Sequence, residues 1–266
     1  MGDKSKNARM FTAFAVYTLQ PQPDGTMEGP LNRRVFATFE GPTRAAKLAL
    51  RDARKRGYGR KETLFLADGA LRLWELQCRY FSKAKPCLDW FHASEYLWAA
   101  GTGAYGAKSA ERTPWVKARL EEMMAGEIDS VLAALEAARA ALGEDPPRGR
   151  DKKLMKALRY VRNHSTMMQS YSELDARDLT YGTGLIEGTI KHIGARLDGC
   201  GMRWSKEGSA TMLALRCVQI SDEWESFEER ARQAHDSLTK LEVERVTRAT
   251  RRTPHKAKKK AKNRAA

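Results

Sequence analysis

The chain has 266 residues, of which 42% are apolar, enough for one large or two small packed domains and too many for a disordered protein. No apolar run is long enough to cross a bilayer, and the opening MGDKSKNARM lacks the apolar segment of a secretory signal, so the expected location is the cytoplasm, with no membrane partner. The formal charge of +15 is unevenly placed: ten Lys or Arg and no acids follow from Arg245 onward, which leaves +5 (15 minus 10) for the rest and makes the end of the chain a disordered basic arm suited to phosphate backbones, or a solubilising tail.

In chain order, Met10 to Leu19 and Arg34 to Phe39 are rich in aromatic and branched residues and flank the turn-forming PQPDGTMEGP, the pattern of an antiparallel hairpin with a long loop. Thr43 to Arg56 sets Ala46, Ala49, Leu50 and Ala53 on one helical face and stops at Gly57, a residue suited to a left-handed end. Leu64 to Ala67 reads as a buried strand, followed by a short helix with Leu73, Leu76 and Tyr80 on one face. Pro86 to Trp90 is a further strand leading through FHASEYLW into a helix. Strand signals then cease. Thr113-Pro114 has the form of an N-cap and first helical residue, helical periodicity runs to Leu142 with a break at Gly126, GEDPPRGR is a loop, and Asp151 to Asn163 is helical again.

The four cysteines, Cys78, Cys87, Cys200 and Cys217, are too widely spaced for a Cys-x-x-Cys zinc site, and each sits in an apolar pattern that reads as a buried thiol. More informative is LFLADGALRLW, where a core strand ends on Asp68. Either Asp68 caps the helix that follows, or it is a ligand-binding carboxylate at the carboxyl end of a strand, where open sheets bind ligands. A second acid, Glu187, lies one turn into a helix whose apolar residues are Ile186, Ile190 and Ile193. It shares a face with Lys191, which by itself reads as an exposed ion pair.

Three stretches, LADGA, DWFHASEYLW and GLIEGTIKHIGARLDGCGMRWSKEGSATMLALR, resemble the Kra-type insertion-sequence transposases of the Mutator-like branch of the DDE superfamily, over roughly Asn7 to Phe227. The resemblance implies an α/β fold: an RNase H-like mixed sheet with flanking helices and an all-helical insertion. It also implies Asp68 and Glu187 as catalytic metal ligands for Mg²⁺ or Mn²⁺, and DNA as substrate, both insertion-sequence ends and target. The family's Cys-x-x-His pair appears here as Asp89 and His92. His92 would assist at a phosphate, or cap and pack beside Trp90 and Trp98, while Asp89 would orient it rather than bind metal. Arg196, Arg203, Trp204 and Lys206, with Lys191, would contact DNA through phosphate forks and stacking on a base, or form a solvated loop anchored by Trp204.

The expected layout is residues 1–105 for the sheet and its helices, 106–178 for the helical insertion, 179–244 for the glutamate helix and C-terminal helices, and 245–266 for the basic tail. In the resembled family a first aspartate lies on a strand before the segment matching MFTAFAVYTL. Only Asp3 and Asp24 are nearby and neither sits in a strand-like run, so the first strand and first metal ligand are expected to be missing. The function expected is DNA cleavage and strand transfer by a nucleoid-associated, homo-oligomeric transposase. The alternatives are a truncated or domesticated remnant that binds DNA without catalysis, and a nuclease of the same fold.

Overall fold

The structure, a computed structural model, describes residues 10–144, 146–168 and 171–252, which form two compact units: one ends at Ser221 and the other begins at Asp222. The first unit opens with β1 (Thr12–Pro21) and β2 (Met27–Thr38), antiparallel, with Phe14 opposite Phe36 and Ala15 opposite Val35. The hairpin loop is shorter than the sequence suggests. Pairing continues to Pro21 and Met27, and Asp24 closes the tight end by accepting from the Thr26 N–H and hydroxyl at 2.9 and 2.6 Å.

Next come α1 (Pro42–Lys55), β3 (Leu64–Ala67), α2 (Leu71–Tyr80), β4 (Lys85–Leu88) and α3 (Trp90–Tyr105). β4 runs parallel to β3, with Leu66 beside Cys87 and Ala67 beside Leu88. Helices follow: α4 (Arg112–Ala125), α5 (Ile128–Ala140), α6 (Arg150–His164), a 3-10 turn at Ser165–Met167, α7 (Tyr171–Ala176), α8 (Gly184–Leu197) and α9 (Lys206–Ile220). The chain is thus mixed α/β, with two small sheets that share no backbone hydrogen bonds.

Period-2 alternation gives the hairpin two apolar faces. Phe14, Val16 and Phe36 join the main core with Phe65 and Phe81, where the Phe14 ring lies 6.3 and 6.2 Å from those two. The alternate residues Ala15, Val35 and Ala37 pack instead with Ile193, Leu197, Leu213 and Cys217 of α8 and α9. Side chains, not backbone, therefore link β1 to β3, and α8 is laid across the hairpin. Buried Asp52 of α1 fixes the neighbouring edge, accepting from Arg34 at 2.8 Å and Arg56 at 2.6 Å.

Several local expectations shift. Gly57 takes the left-handed end after α1 and Gly126 caps α4 at φ 82°, as their positions suggested. Thr113 is not an N-cap, because α4 begins one residue earlier at Arg112, behind Glu111. Cys87 and Cys217 are buried, but Cys78 and Cys200 are exposed, since α2 turns Trp74, Leu76 and Gln77 inward and Cys200 lies in the loop after α8. On α8 the buried face is Thr189, Ile193 and Leu197, an i, i+4 row, which leaves Ile190 43% exposed on the side of Glu187.

The second unit contains α10 (Trp224–Arg252), so the first residues of the expected basic tail are helical; residues from 253 onward lie outside those described, as does Asp3. No described helix is long and apolar enough to cross a membrane.

Candidate functional site

The carboxyl ends of β3 and β4 carry Asp68 and Asp89. Asp68 does not cap α2: its Oδ1 accepts the Ala70 N–H at 2.8 Å, closing an Asx-type turn, and α2 starts after Ala70 without a side-chain cap. Among the described residues, Oδ2 of Asp68 makes no hydrogen bond. Gly69 is required here, because a Cβ would fall 2.4 Å from the Tyr160 ring, which α6 presses against this turn.

Asp89 does act as a cap. Oδ1 accepts the N–H groups of Phe91 and His92 at 2.6 and 3.0 Å, satisfying the first turn of α3. Oδ2 accepts the Thr183 N–H at 2.7 Å and the Thr183 hydroxyl. The side chain is 1% exposed, and its four bonds use the acceptor capacity of an ionised carboxylate. Burial by itself would raise its pKa, yet the bonds from Thr183 and the His92 N–H, with the His92 ring close by, outweigh burial and hold it below the ordinary value. The backbone extends the join, since Asp89 N–H donates to Ala67 O and Trp90 N–H to Tyr181 O, at 2.8 and 3.0 Å. Asp89 therefore clamps β3, α3 and the segment entering α8 together.

That clamp positions Glu187. Thr183 immediately precedes α8, and its hydroxyl lies 2.9 Å from Glu187 Oε1. Glu187 is half exposed and forms no ion pair with Lys191 among the described residues. It turns towards His92 instead, with Oε1 3.9 Å from Nδ1. Nδ1 is also 3.3 Å from Asp89 Oδ2, but the approach is too oblique for a hydrogen bond. Partial burial would lower the His92 pKa, but Asp89, then Asp68 and Glu187, reverse that and raise it above the ordinary 6.5. The imidazole thus sits among three carboxylates drawn from distant parts of the chain.

Comparison with protein-family models, curated proteins and solved structures finds no match. The assignment of this site consequently rests on its own geometry. Asp89, His92 and Glu187 could hold a metal ion, since one ligand atom from each lies within 4.8 Å of the others. Asp89 is the poorest donor of the three, because a metal there would have to displace a hydrogen bond from Thr183. Asp68 lies outside that trio but close enough to act on His92.

Of the residues expected at DNA, Lys191, Arg196, Arg203, Trp204 and Lys206 are all exposed. Trp204 spends its indole N–H on Leu197 O at 3.2 Å, closing the end of α8, and its ring remains 41% exposed. Sequence reasoning missed Thr183 and Tyr160. The Gly-Thr-Gly entry to α8 was a signal for the first, as threonine beside a helix start offers a hydroxyl to the helix's first turn. For Tyr160, a core position on an amphipathic helix, the sequence carries no such signal.

Proposed function

We propose that this chain is the RNase H-like catalytic domain of a DDE-type transposase, which cleaves and joins DNA with the help of a divalent cation. The observation that carries the reading is the meeting of Asp68, Asp89, His92 and Glu187 at the carboxyl ends of two parallel strands, the usual ligand side of an open sheet. The element order supports it: hairpin, helix, strand, helix, parallel strand, a run of helices, then the glutamate helix.

The donor chemistry fits Mg²⁺ or Mn²⁺ at Asp68 and Glu187. Both offer hard carboxylate oxygens in reach of water, which these ions keep in their coordination shells. A cation held there would activate the attacking oxygen and stabilise the leaving one. His92, whose charged form its three acidic neighbours favour, donates to a phosphate oxygen. Asp89 holds the first turn of α3, and hence His92, in place, and Thr183 does the same for Glu187. Lys191, Arg196, Arg203 and Lys206 track the DNA backbone while the Trp204 ring stacks on a base. The enzyme would work as a homo-oligomer on element ends and target, at the nucleoid.

The test is cleavage and joining of DNA by the purified protein in Mg²⁺ and in Mn²⁺, beside Asp68→Asn and Glu187→Gln. Both substitutions should abolish metal-dependent products while leaving DNA affinity within about twofold, since each removes one charge and little volume. Undiminished cleavage by either variant would overturn the assignment. A second reading, DNA binding without catalysis, is favoured by one observation: with Asp89 saturated, two acids remain open to a cation. DNA binding without metal-dependent products from the wild-type chain would decide for it.

A further inference from the structure

The helix α10 carries a seam that the site does not use. Trp224, Phe227, Ala231, Ala234, Leu238 and Leu241 follow one another at spacings of three and four residues, the a and d positions of two and a half heptads. The helix is 29 residues, about 43 Å, long. Its seam faces water: Trp224 is 44% exposed, Leu238 64% and Leu241 62%. A row of large apolar side chains at this period is an interaction surface in search of a second helix.

We infer that α10 pairs with α10 of a second copy in an antiparallel, two-fold symmetric coiled coil that forms without DNA. Two features select this occupant. The first is size. Reversing one copy sets Trp224 against Leu241 and Phe227 against Leu238 at both ends and Ala231 against Ala234 in the middle, so each layer joins a bulky residue to a medium one or a small to a small. A parallel pair would stack Trp224 on itself and Phe227 on itself. The second is charge. Glu225 lies one residue inside the Trp224 end of the seam, and Lys240 one residue inside the Leu241 end. In the antiparallel register Glu225 faces Lys240 of the second copy at both ends, and Glu228 lies near its His235. A parallel pair would set Glu225 against Glu225 and Lys240 against Lys240. Such an isologous interface is closed, so it yields a dimer and not a fibre.

The experiment is light scattering on the full chain in DNA-free buffer, across the micromolar range. The expected mass is that of two chains, falling to one in Leu238→Glu/Leu241→Glu and unchanged in Gln233→Glu, which adds a charge away from the seam. Circular dichroism should show the variants still folded, because the substituted leucines are exposed. For orientation, a spin label at Ser226→Cys, with the exposed Cys78 and Cys200 changed to serine, should sit about 20 Å along the axis from its copy. A single-chain mass for the wild type, a dimer that survives the double substitution, or labels lying side by side would each overturn the inference. None of these outcomes depends on whether the chain cuts DNA.

Discussion

Thr183 binds Asp89 twice through Oδ2, with its backbone N–H at 2.7 Å and with its hydroxyl, and the same hydroxyl approaches Glu187 Oε1 at 2.9 Å. A hydroxyl has one proton to give, so it serves one carboxylate at a time. The other is left to His92 or to a bound cation. Thr183→Val keeps the shape and removes the hydroxyl. It should destabilise the fold by about 1.5–3 kcal/mol, the range for hydrogen bonds to charged groups, while Thr183→Ser should stay near wild type. Urea unfolding monitored by tryptophan fluorescence measures both, and a neutral Thr183→Val would show that the hydroxyl holds neither acid.

His92 should titrate above 6.5, because the surrounding carboxylates favour its charged form more than partial burial opposes it. The stabilisation from the imidazolium is fully present below 6.5 and is lost as pH rises through the elevated folded value. The stability gap between wild type and His92→Gln should therefore shrink from pH 6 to pH 8. Proton NMR of the His92 ring gives the pKa directly, and Glu187→Gln and Asp68→Asn should each bring it down. A value at or below 6.5 in the wild type would contradict the charge arrangement.

Gly69 and Tyr160 meet so closely that a Cβ on residue 69 would lie 2.4 Å from the ring. Gly69→Ala should cost about 1–3 kcal/mol by overpacking and push α6 away from the Asp68 turn. Tyr160→Phe should be neutral or slightly stabilising, since the buried hydroxyl makes no hydrogen bond. Thermal unfolding of the two variants distinguishes these outcomes, and a harmless Gly69→Ala would mean that the turn and α6 are not in contact.

Arg203 and Lys206 flank the exposed ring of Trp204. Replacing either with alanine should weaken DNA binding alike for all sequences and lower the slope of log affinity against log salt by about one, as expected for lost phosphate contacts. Trp204→Ala should instead weaken single-stranded DNA more than duplex. Fluorescence anisotropy over a salt series reads all three, and an unchanged slope for Arg203→Ala would remove that residue from the interface.

Much of the element order was legible in local sequence, though the hairpin's length and the helical start of the basic tail were not. Aromatic and branched runs became β1, the second half of β2 and β3, Gly57 and Gly126 ended their helices, and period-3.6 rows became α1 and α6, because these are choices each segment makes from its own residues. The sequence also marked Asp68, Asp89, His92 and Glu187 as acids and a base at element ends. What those groups do to one another was decided by packing. α8 turned so that Ile193 and Leu197 lie on the hairpin, which directs Glu187 to His92 and not to Lys191, although Lys191 is the nearer partner along the sequence. Asp89 was readable as a partner for His92, but its four hydrogen bonds needed Thr183, nearly a hundred positions away, to be folded beside it. Tyr160 shows the same limit. Its place against Gly69 depends on how α6 docks, and docking is set by the shape of the whole core, which no local pattern encodes.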